Sequence, residues 1–565
     1  MSLIGALNIG KQALTVHQAA IQTTGNNISN AGNADYTRQV TDLSATRDQR
    51  IGATLFAGTG VQIDGIRRQI DDALEGRLRV ALSDSESAQV NQQWLGQVES
   101  VLNELGDSDL STRLSEFFGS WSNLANKPQD IGLRQVVIQN GQTVASWLAD
   151  ARGSLTDLQT TIDQRMPALV EQADKLSQQI ADLNRTIAVT EAGNGIANNL
   201  RDQRGAAVKQ LSSLLDVKTV EQPNGGVNVY VGSEPLVIGT DTRGLTLVKA
   251  GTADKPVPEV RFKANLGTVS LKSGQIGGLQ EARSAVDAAA ADLDAIAGSL
   301  IHDLNKVHAA GQGLEGFDKV TASNVVEDPT VALNDPKSGL AQPPANGSFV
   351  VHVKEKATGL VTSTLVQVDL DGVGPGTTLN DLRASLDGVA GVNAAISGGR
   401  FTVSADSAAV ELSFSQDSSG VLASLGVNTF FTGKDASDIA VSQALQDNPQ
   451  RLAAAKNGQK GDNQTARLIA ALETQPVAAF GGQSLKERYE GAVSRIATSA
   501  DAAKTNADAA QGVLETLQAQ RESLSGVSLD EEAVNLMREQ RAFQGAARLI
   551  TAVNEMMDVV LNMAR

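Results

Sequence analysis

The sequence predicts a mainly α protein with β-rich parts, an α+β chain of nested domains whose two helical ends pair as a coiled coil. Apolar residues at both termini recur in alternating steps of three and four, the spacing of a packed helical seam. Between them, two blocks of alternating β-branched residues interrupt otherwise helical periodicity. Aromatic residues are only 3% of the 565, so the core must be built largely from aliphatic seams between helices.

The first seam is Leu3, Leu7, Gly10, Leu14, His17, Ile21, Thr24 and Ile28, and it stops at NNISNAGNADYTRQ, residues 26–39. The first acidic residue is Asp35, with Lys11 and His17 the only basic side chains before it. A helix so short of charge wants apolar partners. One partner helix cannot cover a helix about 42 Å long on every side, which makes neighbouring subunits the natural remaining cover.

Residues 70–220 read mostly as helix, with a long seam from Leu155 to Ile187 that Pro167 either kinks or restarts. From Asp216, alternating Val, Tyr and Thr with Asn-Gly-Gly turns predict β-hairpins at about 216–275. Helix returns at roughly 279–310, a second β-rich block spans 321–435 with a helix at 378–390, and helix resumes to the end. Gly526 marks a break, after which Ser528 can cap a last helix and Glu531 can reach back to it. That helix carries a seam at Ala533, Leu536, Gln540, Phe543, Ala547, Ile550, Asn554, Met557, Leu561 and Ala564.

Compatible ends imply nesting. The expected division is a terminal assembly domain of 1–40 with 526–565, a helical domain with β-hairpins of 41–320 with 436–525, and an inserted outer domain of 321–435.

Several function classes find no support. A net charge of −17 without any basic run argues against nucleic acid. No cysteine is present, so thiolate metal sites and cysteine nucleophiles are excluded. Neither a cleavable leader nor a long apolar span suggests membrane insertion. The four histidines, His17, His302, His308 and His352, have no metal-ligand spacing. Gly372–Thr378, GVGPGTT, lacks the Lys-Ser/Thr of a phosphate loop and reads as a turn. No catalytic residue, metal or cofactor is expected, and the reading is not an enzyme.

The stretch NNISNAGNADYTRQ resembles the N-terminal motif shared by bacterial flagellar rod, hook and hook-associated proteins. Residues 525–563, SGVSLDEEAVNLMREQRAFQGAARLITAVNEMMDVVLNM, resemble the matching C-terminal motif. Inside the chain, PALVEQADKLSQQIADLN with NNLRDQR, IAGSLIHDLNKVHAAGQGLEG, LGVNTFFTGKDASDIAV and GDNQTARLIAAL resemble the hook-associated members found at the hook–filament junction.

This resemblance implies a structural adaptor at the distal end of the hook, joining hook to filament. It would lie outside the cell in the flagellum, exported through the flagellar channel without a cleaved signal. The implied partners are further copies of itself in a ring or helical assembly, the hook protein, the second hook–filament junction protein, and an export chaperone on the C-terminal helix. The implied assembly interface is Leu3, Leu7, Leu14, Ile21 and Ile28 with Leu536, Phe543, Ile550, Met557 and Leu561. The implied turn motif is Asn26, Asn27, Ser29, Asn30, Asp35, Tyr36 and Arg38, whose amides would end the first helix and redirect the chain.

Asp35 stands where relatives usually have Gly, Phe543 where Tyr is common, and Gly545 replaces a larger residue. Another axial flagellar protein, or a ligand-binding protein using the β-rich insert, remain the alternatives.

Overall fold

A computed structural model describes residues 3–50, 56–102, 109–193, 195–252 and 255–563. Helix α1 (Leu3–Ser29) leads into β1 (Gln39–Ala45), β2 (Gln49–Arg50), β3 (Phe56–Ala57) and β4 (Val61–Arg68). Four helices follow: α2 (Asp72–Leu102), α3 (Leu110–Asn126), α4 (Ile131–Glu191) and α5 (Asn198–Leu214). Next come β5 (Val217–Glu221), β6 (Val227–Val231), β7 (Glu234–Ile238), β8 (Asp241–Thr242), β9 (Leu245–Thr252) and β10 (Lys255–Phe262), then α6 (Gly274–Ala309). The second β-rich block comprises β11 (Lys319–Val325), β12 (Gly347–Glu355), β13 (Val361–Val368), α7 (Leu379–Asp387), β14 (Val392–Ser397), β15 (Arg400–Ala405) and β16 (Val410–Ser415). Short elements α8 (Val421–Leu425), β17 (Phe431–Thr432), β18 (Ala440–Val441), α9 (Gln443–Asp447) and α10 (Gln464–Ala471) precede α11 (Leu485–Ser525) and α12 (Leu529–Met563).

The chain divides into two compact units. One comprises residues 1–93, 161–282 and 501–565; the other comprises 94–160 and 283–500. In the first, β5 to β8 form an antiparallel sheet in sequential order, and β9 pairs with β10. Their inward residues Val229, Val237, Leu245 and Val260 join Ala173 and Ile180 of α4 and Val208 and Leu211 of α5 in one core. The predicted hairpin block is thus present, ending at Phe262. Pro167 does not break α4, which runs through it with the proline on an exposed face.

Strands β1 and β4 form an antiparallel pair from Gln39↔Arg68 to Ala45↔Val61, bulged between Asp42 and Leu43. No sequence signal announced them. Val40 and Leu43 are exposed while Gln39 is buried, so the pattern is inverted relative to a strand with an apolar inner face.

In the second unit, the insert holds two three-stranded antiparallel sheets, β11-β15-β14 and β13-β12-β16. Phe349, Val351, Phe401, Val403, Leu412 and Phe414 fill the space between them, with Leu379 and Leu382 of α7. A capping box of Thr378 and Asp381 starts α7. Below the insert, Phe117 and Trp121 of α3 meet Phe430 and Phe431 at ring separations of 5.5–5.8 Å. Gly141 makes room for this cluster, since a Cβ there would lie 2.6 Å from the Phe430 ring.

His308 is wholly buried beside that cluster. Its Nδ1–H donates to Asn428 O (2.8 Å) and its Nε2 accepts from the Ala453 N–H (3.0 Å), a neutral imidazole with both nitrogens satisfied. Burial pushes its pKa down to about 4, with the Arg134 guanidinium adding to the shift against the opposing bond to Asn428.

Candidate functional site

The terminal helices pack against each other in antiparallel fashion. Asn27 Nδ2 donates to Glu532 Oε2 (3.0 Å), His17 Nδ1 meets Glu539 Oε2 (2.7 Å), and a Cβ on Gly10 would lie 2.7 Å from Ile550 Cγ1. Positions fall along α1 as they rise along α12. On α1, Gly10 and Thr24 are buried, and Leu3, Leu7, Leu14, Ile21 and Ile28 are half-buried. On α12, Leu536, Phe543, Ile550 and Met557 are half-buried, while Leu561 is 65% exposed.

The second line of the α12 seam differs from the expected one. Glu532, Glu539, Ala546 and Val553 are buried at heptad intervals, whereas Ala533, Gln540 and Asn554 are exposed and Ala547 is half-buried; Ala564 lies outside the described residues. Two of the four inner positions are glutamates, which an apolar pattern search assigns to the outside. They are tolerated because each has a donor. Beyond the seam, Val534, Met537, Met556, Val559, Val560 and Met563 are all about half exposed or more.

α1 also has a second buried stripe, Val16, Ala20, Thr23 and Asn27, which lies away from Gly10. The β1–β4 ribbon approaches α1 on that side: a Cβ on Gly60 would lie 3.7 Å from Ile9 Cα and collide with Gln12 Oε1. Gly60 has φ of 126°, so only glycine fits in both conformation and space. Part of the cover expected from neighbouring subunits is therefore supplied within the chain.

Where α1 ends, the predicted turn motif becomes a hydrogen-bonded hub. Asn30 Nδ2 donates to Asn26 O (2.9 Å) and Asn26 Oδ1 (3.1 Å), and Ser29 Oγ donates to Gly25 O (2.8 Å). The carbonyls left open at the helix C-terminus are met by backbone N–H groups of the turn, Asn30 to Asn27 O (3.1 Å), Ala31 to Ile28 O (3.3 Å) and Asn33 to Asn30 O (2.9 Å). Asn27, 1% exposed, uses its whole amide. Its Nδ2 donates to Gln39 O (2.9 Å) and Glu532, and its Oδ1 accepts from Tyr36 Oη (2.8 Å) and the Gln39 N–H (3.0 Å).

Tyr36 also accepts from Asn26 Nδ2 (3.2 Å). Burial, with the Asp202 and Glu532 carboxylates, pushes its phenol up to about 12, so it stays a donor. Arg38 clamps the start of α12: Nε and Nη2 contact Glu532 Oε1 (2.9 and 2.8 Å) and Nη1 contacts Glu531 Oε2 (3.0 Å). Glu531 thus turns to Arg38, while Ser528 Oγ lies 3.5 Å from the Glu531 N–H. Arg38 N–H donates to Ser525 O (3.0 Å), tying the turn to the end of α11.

A further carboxylate, Asp202 of α5, accepts from the Thr37 N–H (3.4 Å) and Arg68 Nη1 (3.1 Å). Burial holds its pKa above the ordinary carboxylate range, against the lowering effect of Arg68 and Thr37. Asp35 is exposed, with its N–H on Asn33 Oδ1 (3.1 Å) and its carboxylate 3.5 Å from Lys209 Nζ. It is not among the residues with positive φ, so the turn makes no left-handed demand on it.

The hub joins both ends of the chain through Asn27, Tyr36, Arg38 and Glu532, reaches β1 through Gln39, and reaches α5 where Asp202 accepts from the Thr37 N–H. Glu532 and, on the α5 side, Asp202 were not foreseen. Glu532 sits four residues after Ser528, where acidic side chains at a helix start are ordinary, so nothing in the sequence marks it as buried.

A family model described as the flagellar hook-associated protein FlgK helical domain matches residues 95–321, and one described as the flagellar basal body rod FlgEFG protein C-terminal matches residues 518–563. Flagellar hook-associated protein 1 of Escherichia coli (strain K12) is 26% identical over 98% of this chain and 99% of its own length. The protein of the same name from Bacillus subtilis (strain 168) is 26% identical over 98% and 97%. Over nearly its whole length the chain is similar to proteins named flagellar hook-associated protein 1.

The structure of the flagellar hook junction protein FlgK from Burkholderia pseudomallei has the same fold, with a TM-score of 0.53 and 17% identity over 80% of this chain and 100% of that one. The rod-type C-terminal match falls on α12 and the end of α11, where Arg38 and Asn27 of the N-terminal motif converge.

No group of His, Asp and Glu among the described residues is arranged to hold a metal ion, and no described helix is long and apolar enough to cross a membrane. A cleft of about 470 Å³ borders the insert, lined in part by His302, Asn305, Asn324, Glu327 and Arg400. Its polar groups mostly serve the frame. Asn305 holds the Phe430 and Phe431 backbone, Arg400 donates to Ala322 O and Ser323 O, and Asn324 donates to Ser424 O.

Proposed function

We propose that this chain is a structural adaptor of the bacterial flagellum that assembles at the distal end of the hook and joins it to the filament. The observation that carries this reading is near full-length similarity to proteins named flagellar hook-associated protein 1, on a chain whose two ends meet through one buried hub.

The paired α1 and α12 act as the assembly element. Leu3, Leu7, Leu14, Ile21 and Ile28 with Leu536, Phe543, Ile550 and Met557 hold the pair together. Leu561 and the outward Met556, Val559, Val560 and Met563 await copies of the same chain, the hook protein or the second junction protein. The apolar outer side of α12 suits an export chaperone before assembly, because exposed aliphatic and Met side chains on one helix need cover in transit. The insert of 321–435, with a core of its own, serves as an outer spacer in a three-part organisation.

Labelling the protein in purified hook–basal bodies tests this. The label is expected at the distal hook tip alone; label along the hook or rod contradicts it.

A further inference from the structure

Asparagine followed by glycine is chemically labile, because the glycine nitrogen has no neighbouring Cβ to keep it from the side-chain amide. The chain has four such pairs, starting at Asn194, Asn224, Asn346 and Asn457; Asn194 lies outside the described residues. Two of the other three are locked. Asn224 Oδ1 accepts the Gly226 N–H (3.1 Å), while the Gly225 N–H donates to Gln222 O (2.9 Å). Asn346 Oδ1 accepts the Leu370 N–H (3.0 Å), and Gly347 is paired with Val368 in the β12–β13 ladder.

Asn457 has neither lock. It lies in a loop, residues 456–461, that is exposed at every position. Among the described residues, neither its side-chain amide nor the Gly458 N–H makes a hydrogen bond. The loop is anchored instead through Asp462 Oδ2, which accepts the Lys456 N–H (2.9 Å) and the Asn457 N–H (2.8 Å). Glycine at 458 is required by the fold, since its φ is 68° and a Cβ there would collide with Gln312 Oε1. The loop therefore keeps an unsubstituted residue next to a free amide.

We propose that Asn457 is a self-modifying site whose co-reactant is water. The Gly458 nitrogen, on losing its proton, bonds to Asn457 Cγ as the Cγ–Nδ2 bond breaks, and the amide leaves as ammonia carrying that proton. Water then opens the five-membered imide. Opening at Cγ gives aspartate; opening at the main-chain carbonyl gives isoaspartate, whose backbone is one carbon longer. Nothing is oxidised or reduced.

Either product sets a new carboxylate beside Asp462 in a chain whose net charge is already −17. Repulsion, and in isoaspartate the longer backbone, free the two N–H groups from Asp462 and open the loop. The flanking frame stays in place, because Ala453 and Ala454 before the loop and Thr465 and Ala466 after it are buried. The age of a molecule is thus written as a loop that proteases reach at Lys456 and Lys460, as they reach exposed loop tips generally. The inference does not depend on the flagellar reading.

Incubating the full folded chain in buffer, then mapping its peptides by mass spectrometry, tests this. A protein isoaspartyl methyltransferase serves as the probe for isoaspartate. Conversion at Asn457 should be about tenfold or more faster than at Asn224 and Asn346, whose locks must open before attack, and it should quicken as pH rises. In the urea-unfolded chain all three should convert at similar rates. Asn457→Gln, a change at an exposed side chain without contacts, should remove the corresponding acidic variant on ion exchange and the added protease sensitivity at Lys456 and Lys460. Equal rates at the three sites in the folded chain, or an intact Asn457 where the unfolded chain converts, overturns the proposal.

Discussion

At the scale of single residues, the hub rests on Asn27, whose two donors and two acceptor sites are all engaged in the interior. Asn27→Asp would remove the donor facing Glu532 and set two buried carboxylates together. The terminal pair should lose about 3 kcal/mol or more, read as faster proteolysis of both ends at unchanged stability of the second unit. Glu532→Gln should cost less, since it keeps an acceptor for Arg38. His308 supplies a pH dependence. Its ordinary value is 6.5 and its folded value about 4, so the folded chain binds fewer protons than the unfolded chain between those limits. Stability should be full above about pH 6.5, fall by up to about 1.4 kcal/mol per pH unit toward pH 4, and level off below. Trp121, whose ring centre lies 6.2 Å from that of His308, is a fluorescent reporter for such unfolding curves. A flat profile across that range would contradict the buried neutral imidazole.

At the scale of elements, the α1–α12 pair leaves no room for a side chain at Gly10, where Ile550 occupies the space. Gly10→Leu should overpack the pair by about 1–3 kcal/mol, and adding Ile550→Ala should recover part of the loss in thermal unfolding. If the two changes simply add, the helices do not meet there. The same pair shows how far the sequence can be read. Half of the α12 seam was legible because Leu536, Phe543, Ile550 and Met557 are apolar. The other half was not, because Glu532 and Glu539 are buried only by virtue of Arg38, Asn27 and His17, which are remote in sequence. The β1–β4 ribbon escaped for a related reason: its inward positions include Gln39 and Thr41, and its apolar Val40 and Leu43 face out. By contrast, the strands of the insert alternate over a core of their own, and the block at 321–435 was readable as β-rich with a helix near 378–390. The turn motif was identifiable from resemblance, but its chemistry, one amide satisfied four ways, needed the fold.

At the scale of the whole molecule, the first and last helices are held as one element by contacts more than 490 residues apart in sequence. The central claim is that this element, and not the insert, carries assembly. It is tested by deleting residues 529–565 and expressing the truncated chain in cells that lack the intact protein. The second unit, which has none of these residues, should retain its cooperative unfolding. The truncated chain should be absent from purified hooks, and filaments should not grow. Normal filaments on hooks that carry the truncated chain would contradict the account.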